Sequence, residues 1–176
     1  MKTLLCLGLA CFLMIGCLAQ SDSKPNKMKL SIPEMGTDNV FPKEFTGDGA
    51  GISPPLSWKK GPEGTKSYAV IMHHVDREGK TKWYWTLWDI PAEVTSLPKN
   101  STKIGTIGSN EMSRVPGYGP PNSKGPGTKV YTITIYALSD KPTFAVPAYR
   151  VNREVLLDAM KRLILDTSEL KVSHSR

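Results

Sequence analysis

Past residue 17 the chain contains no cysteine; Cys6, Cys11 and Cys17 all stand at or before that point. The body therefore has no thiol for a cysteine nucleophile, a zinc–thiolate site or an iron–sulfur cluster, and no disulfide to staple it. Its stability must come from a packed core, and 176 residues are enough for one domain that has one. Long basic runs are missing as well. The 23 Lys and Arg against 16 Asp and Glu give a net charge of +7, but the basic residues are scattered. Without a cluster or a nucleic-acid motif, this excess reads as solubility or as attraction to anionic lipid or another anionic ligand, and argues against nucleic acid. Ser53 lacks the Gly-x-Ser-x-Gly elbow of a hydrolytic nucleophile, and Gly125-Pro126-Gly127 lacks the spacing and ending of a phosphate-binding P-loop. There is no cofactor motif, no metal-ligand set and no internal repeat.

What is present begins with an apolar run, Leu4 to Ile15, behind the basic Lys2. It is short of the roughly 20 residues of a membrane span and has the form of a secretory signal, residues 1–19. Leu13-Met14-Ile15-Gly16-Cys17 resembles a bacterial lipobox, with an atypical Met14, and would make Cys17 an acylated first residue. Cys17-Leu18-Ala19 alternatively fits an ordinary cleavage before Gln20. The lipid anchor is the preferred reading, with Gln20 to Lys29 as its polar tether. The protein is accordingly expected to be exported, periplasmic or extracytoplasmic, and to meet the membrane only through that anchor.

The body, residues 30–170, reads as mainly β. Pro 14 and Gly 15 suit a loop-rich architecture. Met28 to Ile32 is a first strand, and Leu56-Ser57-Trp58 a short one. Ser67 to Val75 and Trp83 to Ile90 are rich in β-branched and aromatic residues and are joined by the polar DREGKTK, so they predict an antiparallel hairpin. In Val130 to Leu138, Tyr131, Ile133, Ile135 and Ala137 share one face and Thr132, Thr134 and Tyr136 the other. One helix is predicted from Arg153 to Leu165, with Asn152 as N-cap and an apolar stripe of Val155, Leu156, Ala159, Met160, Leu163 and Ile164. The tail, 171–176, reads as frayed. His73 and His74 point to opposite faces of their strand and do not share a metal, whereas His74 and Asp76 share a face, which permits a His–Asp hydrogen bond.

Three stretches in order resemble the phosphatidylethanolamine-binding protein family, also called Raf kinase inhibitor-like proteins, in its bacterial branch. FTGDGAGISPPLSW is similar to the family's glycine-rich loop and Ser-Pro-Pro-Leu-x-Trp motif. YAVIMHHVDREGKTKWYWTLWDIP has the framing of its Asp-Pro-Asp and Trp-His-aromatic motifs, with Asp89-Ile90-Pro91 where Asn-Ile-Pro is usual. GYGPPNSKGPGTKVYTITIYALS resembles its Gly-Pro-Pro loop and the strand after it. The resemblance implies a Greek-key β-sandwich, a large antiparallel sheet plus a smaller one, with a C-terminal helix. It also implies a small pocket for anionic groups such as a phosphate head group, lined by an Asp, two His and the Pro-Pro loop.

Carried over by alignment, that pocket falls on His74, Asp76, Tyr84, Tyr118, Gly119, Pro120, Pro121 and Lys129. The departures are His74 for the pocket Asp, Tyr84 for one His and Lys129 for the other. Each replacement can still donate a hydrogen bond, and Lys129 adds a fixed positive charge. Lys124 flanks the same loop and is a further candidate for anion contact. The expected function is binding of a small anionic or phospholipid head-group-like ligand without turnover. The alternatives are a protease- or kinase-inhibitor-like interaction protein with a protein partner, and, last, a hydrolase using His74–Asp76 as base.

Overall fold

The computed structural model describes residues 27–175 apart from Glu34, Arg114, Ser123 and Lys124. The signal segment 1–19 with Cys17, the tether up to residue 26, and Lys124 lie outside the described residues. In chain order the strands are β1 (Leu30–Ser31), β2 (Leu56–Trp58), β3 (Ser67–Val75), β4 (Thr81–Pro91), β5 (Ser96–Leu97), β6 (Thr106–Ile107), β7 (Thr128–Leu138) and β8 (Ile164–Ser175), with helix α1 (Arg153–Met160) before the last.

Two antiparallel sheets result, a small one ordered β1-β2-β5 and a large one ordered β6-β4-β3-β7-β8. Strand β7 returns by a long connection to lie beside β3, so the order β7-β3-β4-β6 is the Greek-key arrangement. The centre is β3. From Ser67 to Met72 it is buried without interruption, which explains why it reads as a continuous apolar run rather than an alternating one.

One face of the large sheet presents Tyr68, Val70, Met72, Trp85, Leu87, Tyr131, Ile133 and Ile135 to the small sheet, where Leu30, Leu56, Trp58 and Leu97 meet them. The opposite face presents Ala69, Ile71, Trp88 and Leu138 to Leu156 and Met160 of α1. The apolar stripe of the helix is thus core packing. Asn152 caps it as the sequence predicts, its side chain accepting from the Val155 amide at 2.9 Å.

Three boundaries differ from the sequence reading. The helix ends at Met160, not Leu165. Leu163 and Ile164 still pack on the same cluster, but from the turn and from the start of β8, so one apolar stripe spans two kinds of backbone. The tail is not frayed: residues 171–175 belong to β8, which pairs with β7 from Leu138↔Ile164 to Thr128↔Ser175. The tether does not extend to residue 29, because Met28 is buried and its amide bonds the Asp166 carboxylate at 3.1 Å. The outer edge of β8 is covered in turn: the Phe41 amide donates to the Ser173 carbonyl at 2.7 Å and the Ser173 amide to the Asn39 carbonyl at 2.9 Å.

Strand β4 carries two extra residues relative to β3, at register shifts between Tyr68/Val70 and between Met72/His73. At the first, Asp89 takes φ +55°, a left-handed conformation that Asp and Asn tolerate better than most residues. Its Oδ1 is buried without a hydrogen-bond partner, and burial raises its carboxyl above the ordinary value, against a smaller opposing effect of Lys141. A raised carboxyl pKa costs stability at neutral pH, and the cost is relieved as pH falls through the folded-state value. Asp89→Asn keeps the backbone preference and removes the charge. It should raise stability at neutral pH by about 1 kcal/mol in urea unfolding, the gain shrinking in acid. A variant no more stable than the parent at neutral pH would contradict this account.

Candidate functional site

The second register shift builds the site. His73 faces Trp83 while Met72 faces Trp85, so Tyr84 is the extra residue of a bulge. Bulging turns Tyr84 to the same face as Trp85, into the main core, instead of the opposite one. Its carbonyl, freed from the ladder, accepts the Gly119 amide at 2.7 Å. Its ring meets Tyr131 edge-on, with centroids 5.1 Å apart. His74, at the end of β3, also packs against Tyr131, with centroids 5.2 Å apart, and donates from Nδ1 to the Val130 carbonyl at 2.8 Å.

These side chains open onto a cleft of about 470 Å³ lined by His74, Asp76, Lys82, Tyr84, Glu111, Met112, Asn122, Gly125, Lys129 and Tyr131. Four of the residues selected from sequence, His74, Asp76, Tyr84 and Lys129, therefore come together. The other four stand behind the wall. The Tyr118 hydroxyl donates to the Phe45 carbonyl at 2.6 Å and its ring packs against Trp85. Gly119 is engaged by Tyr84, Pro120 lies against Gly51, and the Pro121 carbonyl accepts the Gly47 amide at 2.8 Å. Their role in this geometry is to lock two loops together, and Asn122 and Gly125 beyond them reach the cleft instead.

Sequence reasoning missed Lys82, Glu111, Asn122 and Tyr131. Two of these had a signal: Lys82 is opposite His74 in the hairpin register, and Tyr131 heads the alternating stripe of β7. Glu111 and Asn122 sit on irregular loops, where no period marks a face.

Electrostatically the cleft is mixed. Asp76 Oδ1 accepts the amides of Lys80 at 2.9 Å and Glu78 at 3.0 Å, closing the β3–β4 turn, and its other oxygen lies 3.6 Å from Lys82 Nζ. Those amide bonds, the Lys80 one foremost, hold the Asp76 carboxyl below its ordinary pKa. Burial, then Tyr131 and Glu111, push the Tyr84 hydroxyl far up, so it remains a neutral donor. Glu111 Oε2 is buried with no partner. No carboxylate among the described residues pairs with Lys129. No hydrogen bond joins His74 and Asp76, although their shared face permits one; His74 Nδ1 donates to the Val130 carbonyl and Asp76 Oδ1 accepts the turn amides. Next to the cleft, His174, the β8 partner of Lys129, lies 3.1 Å through Nε2 from Asp48 of the glycine-rich loop.

The sequence pattern of the phosphatidylethanolamine-binding proteins matches residues 31–175. The chain belongs to this family. As a family member it is 33% identical to the UPF0098 protein YbcL of Escherichia coli K12 over 78% of this chain and 80% of that one. A UPF0098 protein of Aquifex aeolicus is 36% identical over 56% of this chain and 61% of the relative. Among solved structures, the phosphatidylethanolamine-binding protein homolog CT736 of Chlamydia trachomatis superposes with a TM-score of 0.77 at 28% identity, covering 86% of this chain and 99% of that one. The E. coli YbcL crystal structure gives 0.73 at 23% identity, covering 85% and 99%, a likeness of fold.

His73, next to the cleft in sequence, belongs to the other face. Burial lowers its pKa first, Arg153 second, while Glu169 opposes them. A histidine whose folded pKa is depressed favours the neutral form, so its contribution to stability is present above the unfolded value and lost as pH falls from there through the folded one. NMR titration should place His73 below 6.5, the ordinary value from which it departs. Titration at or above that value would contradict the assigned burial.

Proposed function

We propose that this family member binds a small anionic ligand of the phospholipid head-group kind, without turnover, in the cleft between β3, β4 and β7. The observation that carries this reading is the convergence of His74, Tyr84 and Lys129 on one cleft in which Lys129 has no carboxylate partner among the described residues. Tyr84, hydrogen-bonded to Tyr131, supplies a neutral hydroxyl, and Lys129 a point charge. His74 already donates from Nδ1, so Nε2 accepts when the ring is neutral and donates when it is protonated. It therefore takes a protonated phosphate oxygen in the first state and an anionic oxygen in the second. With no hydrogen bond between them, His74 and Asp76 lend no support to the rival reading of a hydrolytic base.

The test is the melting temperature in phosphate, acetate and phosphoethanolamine. A ligand at 100 times its Kd should raise it by about 5–10 °C for a chain of this size. Lys129→Ala should abolish the shift, and His74→Ala should reduce it. A flat response to all three anions would overturn the reading and favour a surface-interaction role.

The apolar segment before Cys17 supports a site of action outside the cytoplasm, with the chain held to the membrane by lipid on that residue. Radiolabelled palmitate should then enter the protein in a bacterial host and be lost in Cys17→Ala. Labelling that survives the substitution would remove the anchor.

A further inference from the structure

Lys129 borders two hollows, not one. Beside the cleft lies a second space of about 500 Å³, walled by the β3–β4 turn and by the segment from Gly125 to Val130. His74, Asp76, Gly125 and Lys129 line both. The carboxylates of the turn are already compensated. Asp76 lies 3.6 Å from Lys82, and Glu78 lies 3.1 Å from Lys80. Two cations of the second hollow, Arg77 and Lys129, have no carboxylate partner among the described residues.

Arg77 is placed by local structure on both sides. The two amides donated to Asp76 fix the turn from which it projects. Across the hollow, its Nη2 lies 3.8 Å from the position a Cβ would take on Gly127, a residue with φ +101°. The guanidinium therefore rests against the glycine of the β7 approach, at the lip of the hollow, with its planar donor fork uncommitted to any carboxylate among the described residues. A fork of this kind matches a phosphate or carboxylate by paired hydrogen bonds, whereas Lys129 offers only a point charge.

We propose that the ligand carries two phosphate-like groups, the first held at Lys129 in the cleft and the second gripped by Arg77 in the adjoining hollow. The inference rests on the anion-binding reading of the cleft and specifies the ligand class further. Lys129, shared by both spaces, stands beside the link between the two groups. A monoanion fills one space and leaves Arg77 unused.

Isothermal titration of the protein with orthophosphate, pyrophosphate and a longer sugar bisphosphate such as fructose bisphosphate tests this, the two bisphosphates sampling different spacings. At least one bisphosphate should bind about tenfold tighter than orthophosphate. Arg77→Ala should erase that advantage while leaving orthophosphate affinity within about twofold, and Arg77→Lys should restore only part of it, because the paired geometry is lost. An unchanged melting temperature of unliganded Arg77→Ala shows that the turn is intact. Orthophosphate binding with no bisphosphate advantage, or an advantage that survives Arg77→Ala, overturns the second group and leaves the cleft reading in place. Loss of orthophosphate affinity in Arg77→Ala overturns the division into two spaces. Failure of all three ligands to bind overturns the cleft reading itself.

Discussion

The backbone ladder of β3, paired along its length with β4 on one side and β7 on the other, is the constraint on which the rest of the molecule depends. Four cleft side chains take their positions from that ladder and the strands beside it. His74 is at its end, Tyr84 is thrust inward by a bulge in its partner, and Tyr131 and Lys129 alternate along its other neighbour. A register slip of one residue would send these groups to the opposite face. The slip is resisted by the buried run from Tyr68 to Met72, whose two faces belong to two different cores.

Much of the fold was legible in the sequence because its signals are local. The hairpin declares itself through two β-rich runs and a polar turn, and β7 through strict alternation. The late segment was harder. Leu156 and Met160 mark a helix correctly, but Leu163 and Ile164 continue its apolar rhythm after the helix has ended, because the same cluster of Ile71, Trp88 and Leu138 receives them from a turn and a strand. Strand β8 was missed for a related reason. Leu170, Val172 and His174 do alternate with Glu169, Lys171 and Ser173, yet the pattern is short and polar, and its stability comes from the ladder with β7 rather than from its own composition.

The cleft was half legible. Alignment of residue types brought His74, Asp76, Tyr84 and Lys129 to one place, but it also selected Tyr118 to Pro121, which shape the wall from behind. Loop residues escape periodic reasoning. Glu111 reaches the cleft from a segment held by its own amide bond to the Trp83 carbonyl, at 3.0 Å, and by the bonds of Ser109 and Asn110 beside it, none of which a sequence pattern announces. A separation follows between what holds the fold and what meets a ligand. Tyr118 and the Gly-Pro-Pro loop are tied to the backbone of the glycine-rich segment, whereas the charge of Lys129 serves no internal pairing among the described residues. Such a site can change its chemistry while the sandwich around it stays the same.

Strand β8 has one more consequence. Its final residues, Ser173 to Ser175, run alongside Thr128 to Val130 and link to the glycine-rich loop through His174 and Asp48. During synthesis, that wall therefore has no outer neighbour until β8 has been made. A copy without β8 would leave β7, the strand that carries Lys129 and Tyr131, with an unpaired edge. Strand β8 thus shields from edge-to-edge association the strand on which the charge of the cleft is mounted.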